Sequence, residues 1–295
     1  EAFMIADAER GWAWTRALME GQAPEIRLIC SPATTNLIEQ LAEAASLEYE
    51  TIVHTRLTPL TVAREPWPLE ELPSETILVA FSRSLILQLK SELERLGRRV
   101  SVIYGALPPE VRHKQASLFA AGETEICVAT DAVGMGLNLP AHRVCFFELE
   151  KFDGRERRLL TPAEFHQIAG RGGRFGIREF GEIGATTNFD LKFVRLLFEQ
   201  APEELTHARV APSAADLALI PGNLTVKLQQ WQSLASIPDD LREVVMPAEM
   251  ESRVQLASLL PQRDVEKLGL EAALQLVNAP ARETSQEYWY ACARA

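Results

Sequence analysis

Cysteine is scarce and scattered. The four thiols, Cys30, Cys127, Cys145 and Cys292, have no paired spacing, and the five histidines do not cluster with them. Neither a disulfide scaffold nor a zinc module is encoded. A reducing compartment is expected, with Cys127 and Cys145 as buried free thiols in strand-like apolar runs. Positive charge is in deficit: 30 Lys+Arg face 41 Asp+Glu, a net charge of -11. That excludes a protein that coats nucleic acid by bulk electrostatics, but not one that holds a strand through a local basic track and backbone contacts. No apolar run approaches the ~20 residues that span a bilayer, so no membrane partner is expected. Glu1 onward lacks the basic and then apolar order of a signal peptide.

What is present is an ordinary globular composition, 47% hydrophobic and 24% charged over 295 residues, enough for two or three cores. Apolar runs that read as buried strands (Thr76–Phe81, Val100–Tyr104, 126–130, Arg143–Glu148) alternate with amphipathic stretches at Leu85–Leu96 and Glu110–Ala121. This is the signature of a parallel, doubly wound α/β sheet. Upstream, Gly11–Met19 and Thr35–Ala45 read as helices, and Glu25–Cys30 and Tyr49–His54 as short strands. Pro59, Pro66, Pro68 and Pro73 crowd one span that reads as a linker. Beyond Phe180, Gly181–Thr187 is one more strand-like stretch. Helical spacing then dominates in Leu191–Glu199, Ala214–Leu219, Asn223–Leu234, Ala248–Leu260, Arg263–Leu276 and Glu283–Arg294.

Two segments carry chemistry. In Gln167-x-x-Gly170-Arg171-x-Gly173-Arg174, two arginines stand three residues apart among glycines, directly after an amphipathic stretch. Glycine permits close backbone approach, and arginine offers a permanent charge with a donor fork shaped for phosphate oxygens. The bland alternative is a glycine-rich helix end with solvated arginines. The second segment runs Ile126-Cys-Val-Ala-Thr130-Asp131-Ala-Val-Gly134-Met-Gly136-Leu-Asn138. A buried strand ends at Thr130-Asp131 and opens into glycines, the place where α/β sheets bind ligands. Asp131 as a plain helix N-cap is the alternative here.

In order and spacing the two segments resemble motifs five and six of superfamily 2 helicases. With Ile103-Tyr-Gly-Ala-Leu-Pro-Pro109 and Gly11-Trp-Ala-Trp-Thr-Arg-Ala-Leu, the chain resembles the DExH-type mitochondrial-degradosome RNA helicase family and its bacterial relatives. The resemblance implies part of a first RecA-like domain over 1–65, a second RecA-like domain over 66–190 and an all-helical C-terminal domain over 191–295. The family's phosphate loop, Gly-x-x-x-x-Gly-Lys-Ser/Thr, is absent. The opening Glu1-Ala2-Phe3-Met4 resembles the end of a DExx box, so a fragment that is inactive alone is expected, with Glu1 matching the glutamate that acts on the attacking water.

The resemblance further implies ATP with Mg2+, the metal held mainly through residues outside this sequence. Arg171 and Arg174 would act as fingers on the γ-phosphate, with Gln167 beside them. Asp131, Gly134, Gly136 and Gly170 would line the nucleotide. Ser82, Arg83, Tyr104, Gly105 and Thr130 would contact single-stranded RNA or DNA. Helix capping for Ser82, a surface role for Arg83 and core packing for Tyr104 are the structural alternatives, and His113, His142 and His166 read as surface or packing residues. The implied activity is 3′→5′ unwinding by a monomer, with an exoribonuclease as a possible partner. A binding module without chemistry, or a translocase that does not unwind, stays open. The bacterial cytoplasm is the expected compartment, ahead of the mitochondrion.

Overall fold

The computed structural model describes residues 2–131, 139, 141–153, 156–173, 179–234, 237, 239, 241–279, 281 and 285–294. The chain divides into two compact units, 52–203 and 1–51 with 204–295. The discontinuous unit opens with a 3-10 turn, Ala2–Ala6, then helix α1 (Gly11–Met19) and helix α2 (Pro32–Ala44).

The continuous unit is built on six parallel strands: β1 (Leu60–Val62), β2 (Thr76–Val79), β3 (Val100–Ile103), β4 (Ile126–Ala129), β5 (Arg143–Phe146) and, after a small antiparallel hairpin of β6 (Glu150–Phe152) and β7 (Arg157–Leu159), β8 (Gly181–Ala185). Their order across the sheet is β1-β8-β5-β2-β4-β3. Three helices lie between them, α3 (Arg83–Arg95), α4 (Pro109–Ala120) and α5 (Pro162–Ala169), and a fourth, α6 (Asn188–Glu199), follows β8. Side chains alternate along each strand and both faces are covered, which is why the strands read as unbroken apolar runs. Ile77, Val79, Cys127, Ala129, Val144 and Phe146 pack on one face with Phe119 of α4, Phe165 of α5 and Val194 of α6. Leu78, Val128 and Cys145 pack on the other face with Ile86, Leu89 and Leu93 of α3. Cys127 and Cys145 are buried and unbridged as expected, and burial pushes the Cys127 thiol up to about 12.

The proline-dense span is part of this unit. Leu60 and Val62 pair in parallel with Gly181 and Ile183, and Trp67 packs over the sheet core. Prolines suit this edge because an edge strand leaves one row of backbone groups outside the ladder.

From residue 204 the discontinuous unit resumes with β9 (Ala208–Val210), α7 (Ala214–Ala218), α8 (Leu224–Leu234), β10 (Val245–Pro247), α9 (Glu251–Leu259), α10 (Gln262–Leu268), α11 (Leu270–Val277) and α12 (Gln286–Arg294). The helices fall where the spacing puts them. The long stretch expected at Arg263–Leu276 is broken by Gly269, whose φ of 81 ends one helix and starts the next. Beside the helices, β9 and β10 form a short parallel pair. Arg253, 5% exposed, ties the two halves of this unit together. Its guanidinium donates to the Glu9 and Glu249 carbonyls and to Asn278 Oδ1, and lies 5.2 Å from the Trp12 ring. Glu25–Cys30 and Tyr49–His54, expected as strands, are irregular here. Each lacks a neighbouring strand among the described residues, and Ile29 and Val53 are 82% and 81% exposed. An extended segment without a partner strand leaves its backbone groups outside any ladder and gains little from extension.

Candidate functional site

Because the strands are parallel, their carboxyl ends share one edge of the sheet. Val79, Ala129 and Ile103 sit in register across β2, β4 and β3. The ladder continues one step further, with Ala80 N donating to the Ala129 carbonyl at 3.0 Å and Thr130 N to the Ile103 carbonyl at 3.0 Å. Ser82-Arg83, Thr130-Asp131 and Tyr104-Gly105 therefore leave three adjacent strands side by side. The Arg83 guanidinium stands 5.6 Å from the centre of the Tyr104 ring. Arg83 and Gly105 are exposed, while Tyr104 and Thr130 are half-buried. Ser82 Oγ accepts from Leu85 N at 3.1 Å, so the serine caps α3. Its capping role and its place on this edge coexist.

The arginine loop follows α5. That helix starts with a capping box, in which Thr161 Oγ1 accepts from Glu164 N and Glu164 accepts from Thr161 N at 2.9 Å. Phe165, Ile168 and Ala169 are buried and Gln167 is half-buried. Gly170 ends the helix, with its N–H on the His166 carbonyl at 2.8 Å. Three further backbone donors fix the loop: Arg171 N to Ile168 at 3.0 Å, Gly172 N to Ala169 at 3.0 Å and Gly173 N to Ala141 at 2.9 Å. Gly173 has φ 66 and runs against Gly181, so close that a Cβ there would lie 2.6 Å from Gly181 Cα.

An ion-pair chain links the two motifs. Lys151 Nζ lies 3.1 Å from Asp131 Oδ2 and 2.8 Å from Glu164 Oε1. Arg158 donates to both Glu164 oxygens at 2.8 and 3.0 Å and to Asp153 at 3.0 Å. Burial works to raise the Glu164 pKa, but the hydrogen bonds from Arg158, Lys151 and the Thr161 backbone win and hold it at about 2. Burial works to lower the Lys151 pKa, yet Glu164 and Asp131 keep it raised. Asp131, expected to line the nucleotide, thus has its carboxylate engaged by Lys151. The Thr161-x-x-Glu164 box was there to be read; nothing in the sequence marks Lys151 or Arg158 as its partners. Since the Glu164 pKa is depressed on folding, its stabilisation is complete above about 4.5 and drains away as pH falls toward about 2. Glu164→Gln should accordingly weaken the start of α5 by about 2 kcal/mol at pH 7. Amide exchange of Phe165–Ala169 would show faster exchange in the variant at pH 7 and a gap that narrows below pH 4.5.

Glu1, Gly134, Gly136 and Arg174 lie outside the described residues. His166 Nε2 bonds the Gln200 carbonyl at 2.8 Å and its ring packs by Phe165 and Phe198. His142 meets Phe180 edge-on, and His113 is exposed. A cavity of about 640 Å³ in the discontinuous unit, lined by Trp12, Arg16, Leu41, Val210 and Trp231 among others, includes none of the candidate catalytic, nucleotide or strand-binding residues.

Two family models match the chain in order: the DEXQ-box helicase domain of Suv3 over residues 1–54 and the helicase conserved C-terminal domain over residues 65–176. The mitochondrial ATP-dependent RNA helicase SUV3 of Saccharomyces cerevisiae is 34% identical over 96% of this chain and 40% of its own length. That of Candida albicans is 37% identical over 72% of this chain and 30% of its own. The mitochondrial DExH-box ATP-dependent RNA helicase DExH16 of Arabidopsis thaliana is 37% identical over 72% of this chain and 38% of its own. The chain thus spans about a third of the length of these relatives. Among solved structures, Dbp5 L327V of S. cerevisiae bound to RNA and ADP BeF3 aligns with a TM-score of 0.48 at 16% identity, over 69% of this chain and 57% of the other. The relatives are all named as mitochondrial, which overturns the bacterial cytoplasm expected from composition. Two helicase models matched in sequence order, the second over the parallel-sheet unit, make this chain a member of the superfamily 2 helicases, in the Suv3 group.

Proposed function

We propose that this chain is part of an ATP-driven RNA helicase that moves 3′→5′ along a single strand, with the compact unit 52–203 as its second RecA-like domain. The observation that carries the reading is the grouping of Ser82, Arg83, Tyr104, Gly105 and Thr130 on adjacent parallel strands at one sheet edge. One exposed guanidinium, an aromatic ring and open backbone suit a sugar–phosphate strand read without regard to sequence. This local track also answers the net charge of -11, since the strand is met by a few placed groups and not by bulk potential.

The arginine loop suits a phosphate. Arg171 follows directly on the C-terminal turn of α5, where a cation is favoured, and its backbone is tied in place. A bound ATP would supply the phosphoanhydride whose hydrolysis drives movement. This chain's part would be charge neutralisation by Arg171 and Arg174, water positioning by Gln167 and a nucleotide lining from Asp131, Gly134, Gly136 and Gly170. Glu1 would act on the attacking water. Among the described residues no three His, Cys, Asp or Glu stand together, and we assign no residue of this chain to Mg2+. An exoribonuclease that degrades the strand the motor delivers is the partner this reading favours.

The test is ATP hydrolysis by the full-length protein with single-stranded RNA or DNA, followed by separation of duplexes bearing a 3′ or a 5′ tail. RNA-stimulated turnover with 3′-tailed unwinding is expected. Stimulated turnover without strand separation would make the protein a translocase, and no stimulation by either strand would sink the reading.

A further inference from the structure

We infer that Arg56 is a positioning residue for the arginine loop, a guanidinium strap that grips the loop by its backbone carbonyls. Arg56 lies in none of the recognised motifs. It sits four residues before β1, in the segment leading into the sheet unit. Its Nε donates to the Thr58 carbonyl at 2.7 Å, and Thr58 is itself 3% exposed, so the stem is anchored to buried backbone. The other end of the fork reaches the loop. Nη1 donates to the Gly170 carbonyl at 3.0 Å, and Nη2 to the carbonyls of Gly172 and, at 2.9 Å, Gly173.

Four backbone carbonyls therefore converge on one planar cation, and three of them belong to the glycines of the arginine motif. Arginine alone among side chains carries enough donors in a fixed plane to do this; lysine has three donors on one nitrogen and cannot span the loop. Half-burial draws the guanidinium pKa down, so the charge is held by carbonyl dipoles at some desolvation cost. The N–H groups of Arg171, Gly172 and Gly173 are already bound to Ile168, Ala169 and Ala141. With Arg56 in place the loop is fixed through its donors and through its acceptors. This gives the motif's glycines a second use: they offer carbonyls to the strap as well as access to a ligand.

The inference rests on the reading of Arg171 as a phosphate-facing finger. A finger works only if it arrives already placed, and a misplacement of about 1 Å costs about 10²-fold in rate. Arg56 would act through the loop and touch no nucleotide. RNA-stimulated ATP hydrolysis by the full-length protein should then show three things. Arg56→Gln lowers kcat about 10²-fold while KM for ATP moves less than about threefold. Arg56→Lys falls between, keeping the charge and losing the fork. Arg56→Lys added to the Arg171→Ala/Arg174→Ala pair is no slower than that pair alone, because a strap has nothing left to position once both fingers are gone.

A general loss of folding would instead slow the combined variant below the Arg171→Ala/Arg174→Ala pair, and that result would overturn the inference. So would wild-type kcat in both Arg56 variants beside a crippled Arg171→Ala, which leaves the finger standing and removes the strap. Wild-type turnover in Arg171→Ala sinks the finger and the strap with it. Should Arg56→Gln fail to fold, Arg56→Lys and its combination with Arg171→Ala/Arg174→Ala carry the same comparison.

Discussion

Arg171→Ala in the full-length protein should lower RNA-stimulated ATP turnover by about 10³-fold or more, the contribution of an arginine that neutralises charge on a transferring phosphoryl group. The fold should be indifferent to the change. Arg171 is only half-buried, and the loop is held by the backbone bonds of Arg171, Gly172 and Gly173, which alanine preserves. Affinity for single-stranded RNA should also survive, because Ser82, Arg83, Tyr104 and Thr130 follow β2, β3 and β4 and owe nothing to the loop. Arg171→Lys should recover little, since a point charge on a flexible stem does not reproduce a fork aimed at two oxygens. Steady-state ATPase assays with fluorescence anisotropy on a labelled strand separate the two quantities. A variant that loses RNA affinity in step with turnover would move Arg171 from the phosphate to the strand.

The fold was legible where periodicity was strong. Thr76–Val79 and Ile126–Ala129 read as buried strands because both faces of the sheet are covered and every residue of each is buried. Most helices from 188 onward read correctly because leucine and alanine recur at helical spacing, the stretch that Gly269 splits in two being the exception. Two kinds of feature were not legible. The first is pairing over long separations: β1 forms only because Gly181–Ile183 lies beside it, and nothing in Leu60-Thr-Val62 announces that partner. The same dependence in reverse explains Glu25–Cys30, apolar enough for a strand but without a neighbouring strand among the described residues. The second is the support of the motifs. Sequence spacing located Asp131, Gln167 and Arg171, yet what holds them comes from Lys151, Arg158 and Arg56, single charged residues in segments with no pattern. Their roles follow from distances that only the folded chain defines.

Gly181 illustrates such support at a position the sequence offers only as the start of a strand. Gly181→Ala should destabilise the sheet unit by about 3 kcal/mol, at the upper end for overpacking. A Cβ there would lie 2.6 Å from Gly173 N, 2.7 Å from Gly172 C and 2.7 Å from Leu60 Cδ2. Two of the three obstacles are backbone atoms, so rotating a side chain cannot relieve them. The arginine loop would have to lift from the head of β8, straining the Gly173–Ala141 bond and the Ala141–Gly172 bridge. Turnover should therefore fall along with stability, unlike the pure catalytic loss at Arg171. Gly105→Ala is the matched comparison. A Cβ at Gly105 meets nothing within 4 Å, so its effect on stability should stay within about 0.5 kcal/mol. Thermal unfolding of the two variants against the parent decides the matter. Equal melting temperatures for Gly181→Ala and the parent would mean that the loop and strand already have room, and that this backbone contact does not fix the finger.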